Sequence, residues 1–385
     1  MKNKGNFKFK YIVNYILVLA LFIPTLVLGV SGGIKGSSAL LLAQISYSII
    51  LAISLNLVVG FLGELSLGHA GFMCVGAYLG CFFANYLHTV IDSKLIVLIL
   101  SMLVGGIAAA VFGLLIGLPT LRLKGDYLAI VTLAFGEIMR TVFMNQEVFG
   151  GALGLKTQKY GKMLYVVGFA VVLITVFVAQ NLMRSKHGRA IQSIRDNEIA
   201  ARAMGVNVTY YKLAVFVIAA FFAGVAGVIY GHNTTPVDYS FFSFNYSIEI
   251  LVMVVLGGMG NISGSIIAAV VLTFINVKLQ TKLSGDLAAL KQLIYALILI
   301  VMVMWNNAPA LANVRERVNL RRIADALHIK VLKHEKKAPE GGIDPPTNAA
   351  WDKIPTKIPM DAVLSTDITT DRTYEADRPK KEDKK

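Results

Sequence analysis

Apolar runs alternate with short polar breaks along the first four-fifths of the chain. Ten of them, at about 11–30, 39–60, 71–88, 95–118, 127–144, 163–182, 211–231, 246–260, 263–280 and 290–306, have spanning or near-spanning length for a helix crossing a bilayer. The pattern predicts an all-α fold, a polytopic helical membrane protein with about ten transmembrane helices. Two runs are weak. Tyr127–Met144 carries Glu137 and Arg140, and Tyr246–Gly260 is short, so eight or nine spans stay open. The first run follows Lys2, Lys4, Lys8 and Lys10. It is too long for the core of a signal peptide and no convincing small-x-small cleavage site follows it, so it reads as a retained first helix.

One polar break differs from the rest. Connections between bundled helices usually take about 2–8 residues, whereas 28 separate Leu182 from Tyr211. From Gly188 to Gly205 they keep a helical period, with Ile191, Ile194, Ile199, Ala203 and Met204 apolar and Arg195, Asp196, Asn197 and Glu198 polar. Gly205 stands where a helix commonly ends in a left-handed residue. The spacing predicts a surface helix over about 189–204, within a cytoplasmic loop at 183–210.

Composition sharpens this division. Hydrophobic residues make up 56% of the chain and charged residues 16%. Ten of the 23 acidic residues precede Val314 and thirteen follow it. A transmembrane domain at 1–312 is therefore expected to be solvated by lipid, and the remainder by water. Residues 313–337 form a basic amphipathic juxtamembrane segment, with Val318, Leu320, Ile323, Leu327 and Val331 as its apolar points. Residues 338–385 hold six of the ten prolines and are expected to be a disordered cytoplasmic tail.

The net charge of +14 does not require nucleic acid as a partner, because Lys and Arg flank apolar runs. With the N-terminus inside and an even number of spans, Arg122 and Lys124, the 183–210 loop and the tail all fall inside, as the positive-inside rule favours. Both termini are then cytoplasmic. Lys156, Lys159 and Lys162 fall on the opposite side and narrow the margin. Cys74 and Cys81 share one apolar run and read as packing residues, without a metal or disulfide pattern.

Three clusters could carry function. The first, Asn56–Phe72, interrupts an apolar region with four glycines, Glu64, Ser66 and His69. Ionisable groups at such depth are costly and face bundle interiors or aqueous cavities. A translocation path or gate is one reading, and an interfacial loop in which His69 satisfies a backbone carbonyl is the other. In the second cluster Glu137 and Arg140 are three residues apart and can pair on one helix face beside Thr132 and Gly136. A structural ion pair at the helix end is the plainer reading there. The third cluster is the surface helix.

The candidate path residues are therefore Asn56, Glu64, Ser66, His69, Thr132, Glu137 and Arg140. The spacing Gly60-x-x-Gly63-x-x-Ser66 recurs as Gly257-x-x-Gly260-x-x-Ser263. In a chain with 34 glycines so short an echo reads as coincidence. No His-Glu-x-x-His or phosphate-cradling P-loop is present.

Leu65-Ser-Leu-Gly-His-Ala-Gly-Phe72 with Gly76-Ala-Tyr78, Leu123–Glu137, Ile194–Gly205 and Leu256–Ser265 together resemble the branched-chain amino acid (LIV-type) permeases of ATP-binding-cassette (ABC) importers. The resemblance covers roughly residues 40–306 and is nearer the M-type subunit than the H-type. It implies a type II ABC-importer-like permease in a bacterial cytoplasmic membrane, non-catalytic and without a cofactor of its own. ATP would be bound by two cytoplasmic ATP-binding subunits. An H-type permease subunit and an extracytoplasmic amino-acid-binding protein would be the other partners, with membrane lipid around the spans.

The same resemblance assigns Arg195, Asp196, Asn197, Glu198, Ala201 and Gly205 to a coupling helix that docks on the ATPase. It also implies alternating access, with selectivity lying mainly in the binding protein. The alternatives are the same machine for urea or short-chain amides, and an ATP-independent secondary transporter. Two features depart from the family. The last run ends Met304-Trp-Asn-Asn-Ala-Pro-Ala-Leu311 where an Arg-Pro-x-Gly motif is common, and the tail is longer than usual.

Overall fold

The computed structural model describes residues 36–120 and 126–282, together with 14, 15, 17–20, 22, 23, 296, 297 and 300. The chain divides into two units, Met1–Pro309 and Ala310–Lys385. The basic segment at 313–337, the tail at 338–385, and most of the first and tenth expected spans lie outside the described residues.

Ten helices follow one another among the described residues: α1 (Gly36–Asn56), α2 (His69–Leu87), α3 (Lys94–Thr120), α4 (Asp126–Asn145), α5 (Lys162–Arg184), α6 (Lys186–Asp196), α7 (Glu198–Ala203), α8 (Val208–Asn233), α9 (Phe244–Gly257) and α10 (Ile262–Lys282). α1 continues as a π-helix over Leu57–Leu62. Among the described residues seven stretches are long and apolar enough to cross a membrane: α1 with its π extension, α2, α3, α4, α5, α8 and α10.

α9 is shorter. Its 14 residues reach only about 21 Å at 1.5 Å per residue, against a hydrocarbon core of about 30 Å. The weak run at 246–260 is thus a broken span. The 3-10 turn Tyr239–Phe242 precedes it and seats Phe242, 1% exposed, against Tyr78 and Tyr230. Non-helical backbone at membrane depth survives where protein buries it in this way.

The segregation of side chains on α3 shows what solvates the bundle. Leu95, Ile99, Leu103, Ile107, Leu114 and Leu118 are exposed, while Leu98, Ser101, Gly105, Ala109 and Gly113 are buried. Large apolar residues outward and small residues inward are the arrangement for a helix in lipid, where close backbone approach replaces the hydrophobic effect. α1 is buried through its whole apolar window and forms the centre.

α2, α3 and α8 meet through glycines. A Cβ on Gly76 would collide with the Cα and carbonyl of Gly224, and one on Gly224 would lie 2.6 Å from the Gly105 oxygen. Gly76→Leu is therefore expected to prevent a folded, monodisperse protein, because backbone cannot yield as a side chain does. Gly36→Leu, which meets nothing within 4 Å, should leave the size-exclusion profile in detergent unchanged. Equal profiles for the two variants would contradict the packing account.

At the end of the bundle opposite α6 and α7, the 155–160 segment is tied down. Leu155 and Val237 exchange two backbone hydrogen bonds. Asn85 Nδ2 donates to the Lys156 carbonyl at 2.8 Å and Thr157 Oγ1 to the Gly231 carbonyl at 2.7 Å. His88 Nε2 and Tyr160 Oη lie 2.7 Å apart. Burial pushes the Tyr160 phenol up to about 12, so it stays protonated in this contact.

Candidate functional site

The surface helix expected over 189–204 is two helices. Asn197 breaks it with an extended backbone (φ −158°, ψ 105°) and caps α7 by accepting from the Ala200 N–H at 3.0 Å. A short amide side chain that bonds its own following backbone competes with helix continuation. α6 opens on Ser185, whose Oγ accepts from the Gly188 N–H. α7 closes at Gly205, left-handed at φ +80° as the sequence implied.

Of the six residues assigned to docking, most are used internally. Ala201 is 4% exposed. Arg195 Nη1 donates to the Gly60 carbonyl at 2.6 Å. Glu198 accepts from Lys212 Nζ at 3.2 Å and from Arg202 Nη2 at 2.7 Å. Asn197 is occupied as a cap, and Arg195, Asp196, Asn197 and Gly205 all remain exposed. The large side chains turned outward are Ile199, 78% exposed, and Met204, 84% exposed.

Lys212 is the residue that sequence reasoning missed. It lies in the first turns of α8 with its side chain 4% exposed, and pairs with both Glu64 and Glu198. The charges balance, with two carboxylates against Lys212 and Arg202. A buried cation inside the apolar window of a span was the available signal, but Lys212 lies at the polar edge of its run and passes for a flank.

The path candidates do not converge on one cavity. Asn56 is fully buried; its Oδ1 accepts from the Gly260 N–H and its Nδ2 donates to Ser265 Oγ, both at 2.9 Å. His69 is 2% exposed and its Nε2 lies 2.8 Å from Ser54 Oγ, so its partner is a hydroxyl rather than a backbone carbonyl. Thr132, also buried, accepts from the Leu67 N–H at 3.1 Å. Ser66 is buried with a hydroxyl that finds no partner among the described residues.

Glu137 and Arg140 pair at 2.8 Å, in the middle of α4 and not at its end. Glu137 Oε1 also accepts from the Phe244 N–H at 3.0 Å, and so caps the start of α9. A carboxylate is favourable there because the first N–H groups of a helix lack partners and carry partial positive charge. Glu137, Ile138, Thr141, Val142, Asn145 and Gln146 border an open cleft of about 460 Å³ along α4. Glu137 is the one path candidate on that cleft.

The chain matches the family described as "Branched-chain amino acid transport system / permease component" over residues 37–303. It is 33% identical over 307 aligned residues to the high-affinity branched-chain amino acid transport system permease protein LivM of Salmonella typhimurium, covering 71% of this chain and 69% of that protein. LivM of Escherichia coli K12 gives the same figures. A probable LivM of Methanocaldococcus jannaschii is 30% identical, covering 47% of this chain and 55% of that protein. No solved structure matches the chain. The motifs at Leu65–Phe72, Leu123–Glu137, Ile194–Gly205 and Leu256–Ser265 all lie inside the matched region, and the chain belongs to the family of branched-chain amino acid transport system permease components.

Proposed function

We propose that the chain is a permease subunit of an ABC importer for branched-chain amino acids, resident in the bacterial cytoplasmic membrane with both termini inside. Its similarity to LivM over most of both chains carries the substrate class. The geometry adds the coupling element. α6 and α7 are a polar helix pair hung on the inner ends of the spans, and α7 with its C-cap presents two exposed apolar side chains, Ile199 and Met204. On a loop otherwise polar, these two side chains are the apolar surface a partner protein would cover.

The ATPase-docking surface is then Ile199, Met204 and Asp196. Glu198 and Arg195 bond back to the bundle and pass motion to the spans. The path runs along the α4 cleft beside Glu137, where a second, H-type permease subunit would complete it. An extracytoplasmic binding protein delivers substrate to the opposite end, and ATP is bound by the partner subunits.

The test is a pull-down of the tagged chain, solubilised from its native membrane, with co-purifying subunits identified. Recovery of a Walker-motif ATPase and a second polytopic permease is expected. Recovery of the chain alone, still able to carry leucine when reconstituted, would overturn the reading in favour of a secondary transporter.

A further inference from the structure

The glycine echo that reads as coincidence in sequence is brought together in space. Gly63 and Gly260, equivalent positions in the two copies, are both left-handed, at φ +83° and +78°. Both turn against one side chain. A Cβ on Gly63 would sit 2.9 Å from Arg195 Cγ, and one on Gly260 would sit 3.2 Å from Arg195 Nη1. Only residues without a Cβ, in a backbone conformation that other residues rarely adopt, let the arginine lie so close to both chains.

Each glycine marks the inner corner where a helix ends. The first corner ends α1 through the π-helix Leu57–Leu62, a form that concentrates at functional positions. The second turns α9 into α10. Arg195 donates to Gly60 in the first corner. Carbonyls at a helix C-terminus carry partial negative charge, and a guanidinium there makes a charge-assisted bond. Asn56 joins the corners directly, holding Gly260 and Ser265 from the end of α1. Beside the joint a cavity of about 200 Å³, lined by Asn14, Gln180, Gln192, Asn261 and Ser263, leaves the 258–261 turn room to move.

We infer that Arg195 is a positioning residue that locks α6 to the inner corners at the ends of α1 and α9, so that both shift together when the surface helices are pushed. This goes deeper into the transport reading above and rests on it. Arg195 then belongs to the transmission within the permease and contributes little to holding the ATPase.

The experiment uses the complete transporter in proteoliposomes, comparing wild type with Arg195→Ala and Arg195→Lys. Arg195→Ala should keep its ATPase subunits and its basal ATP hydrolysis, while uptake per ATP falls roughly tenfold, the scale of a lost coupling between sites. Arg195→Lys should recover most of that loss, since an ammonium group can still donate to Gly60.

Spin labels at Gln192 and Asn261, one on either side of the joint, should hold one separation across nucleotide states in wild type and drift apart in Arg195→Ala. Unchanged uptake per ATP in Arg195→Ala would overturn the inference, as would loss of the ATPase subunits from that variant, which would make Arg195 a docking contact. A wild-type chain that assembles with no ATPase would instead overturn the transport reading itself.

Discussion

Lys212→Ala is expected to abolish ATP-driven uptake and to lower the thermal midpoint of the solubilised protein by several degrees. The side chain is 4% exposed and lies between Glu64, 14% exposed, and Glu198, 21% exposed. Its removal leaves two carboxylates that shared it, with Arg202, 61% exposed, still paired to Glu198. Stripping one partner from a buried pair destabilises by about 3–5 kcal/mol, because the remaining charge loses both water and partner. Glu64 lies beyond the π-helix, Glu198 starts α7 and Lys212 lies near the start of α8, so the loss also unties the surface helices from the bundle. Removing one of the carboxylates as well, in Lys212→Ala with Glu64→Gln, should restore part of the midpoint. Fluorescence-detected size exclusion after heating checks both variants, and an unchanged midpoint in Lys212→Ala would show that the cluster contributes nothing.

The combined variant Ile199→Asp, Met204→Asp should fold normally and fail to retain the ATPase. Both side chains are largely exposed, at 78% and 84%, so their replacement removes little from the permease itself. Burying each against a partner would stabilise the complex by roughly 1.5–3 kcal/mol. Losing both corresponds to about a 10²- to 10⁴-fold weaker complex at 1.4 kcal/mol per tenfold. The expected result is an unchanged thermal midpoint for the permease with no ATPase subunit in the pull-down. Retention of the ATPase would move the docking surface elsewhere on the loop.

The contrast between these variants follows from which features were legible in the sequence. The spans were, because apolar runs are dictated by the bilayer: 95–118 became Lys94–Thr120 and 163–182 became Lys162–Arg184. The glycine stop at Gly205 was also legible, since its left-handed turn is a local demand. The break at Asn197 was not. Its apolar and polar positions fit one continuous helix, and only the cap on Ala200 decides against it.

The bonds of Arg195 and Glu198 to the bundle were equally hidden, because they depend on where Gly60 and Lys212 arrive from 135 residues before and 14 residues after. Glu137 shows the same limit. The i,i+3 pair with Arg140 was visible, but the capping of Phe244, 107 residues away, belongs to the tertiary structure. Motifs identified the family, and packing assigned the work of individual residues.

The most direct measurement is uptake of labelled leucine into proteoliposomes holding this chain with its co-purified subunits, binding protein and ATP. The account predicts uptake that requires ATP and every subunit, and that isoleucine and valine compete away while urea and ribose do not. Leucine entry in the absence of ATP, or a complex that carries urea and ignores leucine, would contradict it.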